Sequence, residues 1–190
     1  MAQIKLGRQS ARDSKLAELI LLIASRSEDD TKFGAVKLNK LLFHCDFSAY
    51  LTFGRSITDQ EYFRLPNGPA PRHYKPVEDR MRLRSELAIK VTNYHGYRQH
   101  KPIALRRPNL SSFTSQEVAL VDEIVQRFKN QNATEISNDS HLFVGWRLAA
   151  NKETIPYQTA LVGFRKPTDK EREAGKKLEG LAVGCLTRAH

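Results

Sequence analysis

The chain has 190 residues, of which 40% are hydrophobic and 27% are charged, and its formal net charge is +10. A chain of this length and composition buries enough apolar surface to fold without disulfides or metal ions, which excludes wholesale disorder. It contains no apolar run of about 20 residues and no signal-peptide pattern near Met1, so the sequence predicts a soluble cytoplasmic protein with no membrane partner.

The two cysteines and the positive charge bear on the class of protein. Cys45 and Cys185 are isolated thiols, which fits a reducing compartment and argues against structural zinc. A basic balance favours an acidic partner, such as nucleic acid or an acidic protein. Surface lysines and arginines that serve solubility explain the same charge, so both interpretations stay open.

The first predicted helix begins between Ser10 and Ser14. Four apolar residues recur there at helical spacing: Leu16, Leu19, Ile20 and Ile23. This spacing is typical of an amphipathic helix with one buried face. Gly34, which follows the acidic residues 28–30, ends it.

The second predicted helix, residues 36–53, is apolar over about 240° of its circumference. One stripe contains Leu38, Leu41, Leu42, Cys45 and Ala49, and the neighbouring stripe contains Val36, Phe43, Phe47 and Tyr50. A narrow polar side is left for Lys37, Lys40, His44 and Ser48. A helix with so wide an apolar arc is expected at the centre of the domain, with its polar side exposed.

Asn39 and Asp46 fall inside that apolar arc, about 20° apart. A buried, unpaired carboxylate costs several kcal/mol, so Asp46 is expected to be hydrogen-bonded or paired. We interpret the two residues as a structural network that ties the central helix to a loop or an arginine. A buried acid at a functional site is the alternative.

The middle of the chain predicts a short strand at 62–66, a turn at 67–71 and a charged helix at 71–84 with Val77 and Met81 inward. A hairpin follows, in which Leu87, Ile89 and Val91 alternate with polar residues and Ile103 and Leu105 do so on the return. A three-residue loop, 94–96, brings these apolar residues onto one face, whereas a two-residue loop, 95–96, separates them. We predict the register with the three-residue loop.

Capping boxes predict the helices of the last third. Thr114 with Glu117 opens one helix, and Asn132 opens a shorter one that runs toward His141. Trp146 follows on another short helical piece, and Thr168 opens a C-terminal helix with Ala174, Leu178 and Leu181. The predicted fold is a mainly helical α+β domain around a central buried helix, with one small antiparallel sheet.

No strong catalytic constellation occurs in the sequence. There is no glycine-rich phosphate loop and no histidine pair at metal-binding spacing, so neither cofactor nor metal is expected. Cys45 lies on the apolar stripe and is interpreted as a buried hydrophobe. His141 and Trp146 are five residues apart and would not share a helical face, so His141 is expected to be buried and satisfied, and Trp146 to anchor the core.

The order and spacing of several segments resemble the Panacea domain, also described as SocA-like or GepA-like. The segments are 37–46, with the sequence KLNKLLFHCD, then 54–58, Gly68-Pro69, Phe113-Thr114, His141 with Trp146, and 155–157. The resemblance covers roughly residues 15–160 and departs from the family at Phe43, where tyrosine is frequent. The expected organisation is an extension at 1–14, the domain at 15–164, and a C-terminal helical extension at 165–190 that packs on it.

The resemblance implies an antitoxin encoded beside a small toxin gene in bacteria, prophages or phages, which neutralises a cognate protein toxin by direct binding and is not an enzyme. It equally allows a proteolytic adaptor that delivers the toxin to the ClpXP protease. A nucleic-acid-binding, autoregulatory protein is a further alternative, for which Tyr94 and Tyr97 beside Arg98 could stack bases.

Two groups of residues are candidates for a role. The structural motif is expected to comprise Asn39, Asp46, Gly68, Pro69, His141 and Trp146, with Gly68-Pro69 in a rigid turn. Seven residues are expected to be exposed and to contact the partner: Lys37, Lys40, His44, Arg55, Tyr62, Arg64 and Arg72.

Overall fold

The structure is a computed structural model that describes residues 10–94 and 96–162. The predicted C-terminal helix and the two predicted extensions lie largely or wholly outside these residues. In chain order, the elements are α1 (Ala11–Arg26), α2 (Ala35–Phe53), β1 (Tyr62–Leu65), β2 (Gly68–Pro71), α3 (Tyr74–Leu83), β3 (Leu87–Tyr94), β4 (Tyr97–Ala104), α4 (Ser115–Phe128), α5 (Ala133–His141), α6 (Val144–Leu148) and β5 (Thr154–Ile155).

The helix starts follow the capping chemistry in the sequence. Ser10 caps α1, because its hydroxyl accepts a hydrogen bond from the backbone N–H of Asp13 at 3.1 Å. Thr114 and Asn132 each form a complete capping box, with Glu117 and Glu135 respectively. The three predicted helix starts are therefore confirmed.

Helix α2 separates two hydrophobic clusters. Its leucine stripe packs with α1, α3 and α4, and Leu38, Leu41 and Leu42 are at most 1% exposed. Its other stripe, with Phe43 and Phe47, packs against a smaller, mainly aromatic cluster that includes Tyr62 and Phe143. The central position that the wide apolar arc predicts is confirmed.

Strands β1, β2 and β5 form an antiparallel sheet in the order β2-β1-β5. The turn lies at residues 66–67, so Gly68-Pro69 begins strand β2; the predicted turn over 67–71 is wrong. Pro69 is tolerated because it faces Arg64, whose backbone bonds instead to Glu153 and Lys152 on the β5 side, at 2.9 and 2.8 Å. The sequence did not predict this sheet, since β5 has only two residues.

Strands β3 and β4 form the predicted hairpin with a different register. Tyr94 pairs with Tyr97 and Leu87 with Ala104, so the loop has two residues and the predicted three-residue loop is wrong. On the inward face of the hairpin, Ala104 pairs with Leu87 and Pro102 pairs with Ile89, and Pro102 is buried. The apolar pattern failed because Pro102 and Ala104 were not counted as inward residues.

Together these elements are a mainly helical α+β fold with small antiparallel sheets, as the sequence predicts. Among the described residues, none of the helices has the length and apolar character needed to cross a membrane.

Candidate functional site

Asp46, on α2, is fully buried and accepts three hydrogen bonds. Its Oδ1 accepts from the backbone N–H of Thr58 at 2.8 Å, and its Oδ2 accepts from the Thr58 hydroxyl at 2.5 Å and from the Tyr62 hydroxyl at 2.7 Å. Helix, loop and sheet are therefore joined at one carboxyl group. The predicted tie between the central helix and a loop is confirmed for Asp46, through Thr58, and Tyr62 on β1 is a further partner; the prediction that Asn39 shares this network is wrong.

Burial dominates the electrostatics of this network. It raises the pKa of Asp46 although the hydrogen bonds from Thr58 and Tyr62 act in the opposite direction. It also raises the pKa of Tyr62, to which the neighbouring Asp46 contributes. A carboxyl group with no opening to solvent and no cationic partner among the described residues has the properties of a structural tie, not of an acid poised for chemistry.

Two further residues extend the tie on the aromatic side of α2. The Tyr157 hydroxyl donates to the carbonyl oxygen of Gln60 at 2.7 Å, and the Tyr157 ring lies 4.6 Å from that of Phe47. The Gln60 amide in turn donates to Asp13 on α1 at 3.1 Å. The loop after α2 is thus held between α1 and the last described turn of the chain.

Lys37 is only 1% exposed and is fully paired. Its Nζ lies 2.6 Å from Oδ2 of Asp30 and donates to the carbonyl oxygens of Lys129 and Gln131, at 3.1 and 2.7 Å. The lysine therefore clamps the start of α2 to the loop before it and to the α4–α5 connection. The expectation that Lys37 is exposed is wrong.

Lys40 is 2% exposed and contrasts with Lys37: no hydrogen bond or ion pair joins its ammonium group to another described residue, although Nζ is not among the side-chain atoms that are sealed from solvent without a partner. Its side chain packs against Gly68, where an added Cβ would come within 2.7 Å of both Cε and Nζ. Gly68 also has a φ of +102°. Burial lowers the pKa of Lys40 to about 8. The predicted exposure of Lys40 is wrong, and the backbone conformation at Gly68 requires glycine.

His44 is 6% exposed, and its Nε2 has no hydrogen-bond partner among the described residues. The closest acidic group is Asp139, whose Oδ2 lies 3.7 Å from Nε2, too far for a hydrogen bond. Burial, with the charges of Arg127 and Lys40, lowers the pKa of His44 to about 3. The ring is therefore neutral at physiological pH and forms no ion pair with Asp139. Its predicted exposure is wrong.

The polar side of α2 is covered because α4, α5 and β2 pack along it. Periodicity locates the polar residues on one side of the helix, but it cannot say whether other elements cover that side. The His44 ring, for example, lies 4.5 Å from the ring of Phe128 on α4.

His141 and Trp146 stack on each other, with ring centroids 4.0 Å apart. They can do so because residues 142–143 separate α5 from α6, so the single-helix argument against their contact does not apply. The Arg64 guanidinium lies 4.6 Å from the Trp146 ring, and the indole N–H donates to the carbonyl oxygen of Leu65 at 3.2 Å. Trp146 thus ties α6 to β1.

His141 is half-buried, and its Nε2 has no hydrogen-bond partner among the described residues. The prediction that it is buried and satisfied is therefore wrong. Burial, followed by the charges of Lys40 and Arg64, lowers its pKa. Asn39 is also half-buried: its amide donates to the carbonyl oxygen of Ala35 at 3.0 Å, whereas its Oδ1 has no partner among the described residues. Asn39 does not join the Asp46 network.

The remaining predicted partner residues divide by exposure. Arg55 and Arg72 are exposed and Arg64 is half-buried, whereas Tyr62 is fully buried and its predicted exposure is wrong. Arg72 pairs with Glu61 at 3.3 Å and lies 5.0 Å from the Phe63 ring. The side chains of Tyr94 and Tyr97 lie outside the described part of the structure, and Arg98 is exposed.

Thr58, Gln60 and Tyr157 are site residues that the sequence argument did not single out. Thr58 and Tyr157 stand in the segments 54–58 and 155–157 that carry the family resemblance, so that signal was present. The role of Gln60 depends on Asp13, 47 positions away, and has no local signal. Within the described ranges, no three His, Cys, Asp or Glu side chains are grouped so that they could hold a metal ion.

Comparison with known proteins gives one match. The family model described as "Antitoxin SocA-like, Panacea domain" matches residues 38–147, which is more than half of the chain. The matched range begins on α2 and ends just after Trp146, so it contains the Asp46 network. No curated protein and no solved structure matched the chain in the same comparisons.

Proposed function

Because the chain belongs to the SocA-like antitoxin Panacea family, we propose that it neutralises a cognate protein toxin by binding it directly, without catalysis. Family membership is the observation that carries this proposal. The matched residues 38–147 include strands β1 to β4 and helices α3 to α5, whereas α1, β5 and the last turn of the described chain lie outside the match.

The distribution of polar contacts supports a binding role. Asp46 is enclosed, its partners Thr58 and Tyr62 are at most 1% exposed, and Lys37 is fully paired inside the domain. These groups stabilise the fold, and none of them is available to a substrate. Recognition is therefore left to the outer surface and to the polar groups that lack internal partners.

Arg55 and Arg72 are the exposed members of the partner set. Arginine is enriched at protein–protein interfaces, where it combines packing with directional hydrogen bonds. Both lie close to the three-stranded sheet in sequence, one after α2 and one after β2. They are proposed to belong to the polar rim of the toxin-binding surface.

The decisive experiment is coexpression with the small protein encoded by the adjacent gene. We expect that protein to arrest growth alone, and the full chain to restore growth and copurify with it. Arg72→Ala should weaken the complex, whereas Arg82→Ala, an exposed arginine on α3, is the matched control. Absence of toxicity and of binding for the adjacent gene products would refute the proposal.

Toxin lifetime distinguishes direct neutralisation from a proteolytic adaptor. Direct binding leaves the lifetime of the toxin unchanged or longer, in cells with or without ClpXP. A lifetime that shortens only when both the chain and ClpXP are present would replace direct neutralisation by delivery to the protease.

A further inference from the structure

Strand β3 has an outer edge that no other strand covers. Among the described residues it pairs with β4 alone. The N–H of Leu105 donates to the carbonyl oxygen of Glu86 at 2.9 Å, which fixes the alternation of hydrogen-bonded pairs along the hairpin. The backbone N–H and C=O groups of Ile89, Val91 and Asn93 therefore point away from β4. None of these groups forms a hydrogen bond to another described residue.

This edge is open along its second half. Val91 is 49% exposed, and Lys90 and Asn93 are exposed as well. The outer edge of β4 differs, because α1 and α2 pack against that strand and Pro102 removes an outward N–H. Strand β3 contains no proline. An exposed row of unpaired backbone donors and acceptors is a template for one more strand.

The charge of the hairpin selects among such strands. Residues 87–104 contain no Asp or Glu, and Lys90 pairs directly with Lys101 across the hairpin. Like charges in directly opposite positions destabilise a sheet. The Lys101 ammonium donates to the carbonyl oxygens of Glu28 and Asp30, at 2.7 and 3.0 Å, whereas Lys90 is exposed and no hydrogen bond or ion pair joins it to another described residue. A carboxylate beside Lys90 would relieve the repulsion, so the edge favours an acidic strand.

The other face of β3 is apolar. Half-buried Ile89 and exposed Val91 lie on the same face as buried Leu87. On an added strand, a residue opposite Lys90 lies on the charged face, and residues opposite Ile89 and Val91 lie on the apolar face. The matching segment is therefore extended, with an acidic residue between two apolar ones.

Other occupants match this edge less well. A second copy would bring further lysines to a hairpin in which two already lie side by side. Residues 163–190 contain seven Lys or Arg and four Asp or Glu, so their net charge has the same sign as that of the hairpin. Nucleic acid has the opposite charge, but its phosphates offer no donors to the outward carbonyl groups of β3 and cannot complete a ladder.

We propose that the toxin adds an extended segment to the outer edge of β3, with an acidic side chain beside Lys90 and apolar side chains beside Ile89 and Val91. The identity of the partner rests on the proposed function, whereas the chemistry of the segment rests on the edge itself. The backbone ladder supplies affinity, and the charged and apolar faces supply selectivity.

The test uses a synthetic peptide, acetyl-Thr-Val-Glu-Val-Thr-amide, and the same peptide with Lys in place of Glu. Amide hydrogen exchange of the full chain is followed by NMR at low salt. Without peptide, the amides of Lys90 and Thr92, which point toward β4, should exchange slowly and that of Val91 rapidly. The acidic peptide should slow exchange at Val91 and bind about fivefold or more tightly than the lysine peptide. Unchanged exchange at Val91, or equal affinities, would overturn the proposal.

Two variants separate the edge from general stability. Val91→Pro removes only an outward N–H, as Pro102 does on β4, so the hairpin should keep its ladder and lose the peptide. Val91→Thr is the matched control and should retain it. Lys90→Glu leaves the edge intact and should reverse the preference, so that the lysine peptide binds more tightly. An unchanged preference would overturn the proposal even if Val91→Pro does not fold.

The toxin complex gives the second measurement. Val91→Pro should weaken it about tenfold or more, because backbone hydrogen bonds are lost, while Val91→Thr leaves it unchanged. A toxin complex that Val91→Pro does not weaken would overturn the proposal even if the peptide binds. Failure of the wild-type chain to neutralise the toxin, with peptide binding intact, would instead remove the proposed function and leave β3 as an edge for acidic strands.

Other occupants predict different exchange in the chain without peptide. If a second copy covers the edge, the Val91 amide is already protected and its protection grows with concentration. If residues 163–190 cover it, the protection does not depend on concentration. A single-stranded oligonucleotide that binds the hairpin while the acidic peptide does not would point to nucleic acid. Each of these three results overturns the proposal.

Discussion

Lys37 and Lys40 lie about one turn apart on α2 and are 1% and 2% exposed, yet their surroundings differ completely. Lys37 meets a carboxylate and two carbonyl oxygens. Lys40 packs against Gly68, and no hydrogen bond or ion pair joins it to another described residue. Burial alone therefore does not indicate a role, whereas the presence or absence of partners distinguishes a structural tie from a group that remains available.

The same distinction separates Asp46 from His44. Asp46 accepts three hydrogen bonds and joins three parts of the fold. His44 is almost as deeply buried, but its Nε2 makes none to the described residues. If the distinction is correct, loss of Lys37 or Asp46 is costly, whereas loss of Lys40 or His44 is tolerated or favourable.

The largest effect is expected for Lys37→Met. The substitution leaves the Asp30 carboxylate buried without its cation, and removing one partner of a buried ion pair costs about 3–5 kcal/mol. The free energy of unfolding, measured by urea denaturation, should fall by that amount. Lys32→Met is the control, because the Lys32 bond to Asn130 is exposed; its cost should stay below about 1 kcal/mol.

Asp46→Ala is expected to lower the free energy of unfolding by about 2–4 kcal/mol, since it leaves the buried Thr58 and Tyr62 donors without an acceptor. Asp46→Asn keeps one acceptor and nearly the same volume, so it should cost about half as much. An unchanged melting temperature for the alanine variant would mean that the three hydrogen bonds do not hold the loop and sheet to α2.

Lys40→Met should do the opposite and stabilise the protein by about 2–3 kcal/mol at pH 7, because it replaces a largely buried ammonium group that has no hydrogen-bond partner among the described residues by an apolar chain of similar length. The sign follows from the pKa of Lys40, which falls to about 8 in the folded state. The unfolded chain binds the proton more tightly, so wild-type stability rises as the pH increases from 8 to 10.5. The variant should lack that rise in melts at pH 7 and 9.5.

The smallest effect concerns His44 and acid. Its folded pKa of about 3 lies below the unfolded value of 6.5, so its contribution is complete above pH 6.5 and is lost as the pH falls toward 3. Between pH 7 and pH 5 the wild type should lose about 1–2 kcal/mol that His44→Gln retains. His100→Gln, at an exposed position, should follow the wild-type curve; identical curves for all three would place His44 in contact with water.

The sequence predicts elements better than it predicts what covers them. Ser10, Thr114 and Asn132 mark helix starts because capping is a local interaction between residues three positions apart. The failure at Lys37, Lys40 and His44 is a tertiary effect, since the packing of α4, α5 and β2 against α2 decides that these residues are buried. A carboxylate in an apolar arc needs hydrogen-bond partners, so the sequence predicts that Asp46 belongs to a network. It does not identify Tyr62 as a partner, because Tyr62 is 16 positions away.

The two prolines of β2 have a consequence for aggregation. Pro69 and Pro71 face residues of β1 at the positions where an edge strand would direct its N–H groups outward. Neither proline has an N–H, and all four residues of β2 are buried, so this edge of the sheet offers no regular ladder to another chain. The domain is therefore protected at β2 against edge-to-edge polymerisation and strand insertion.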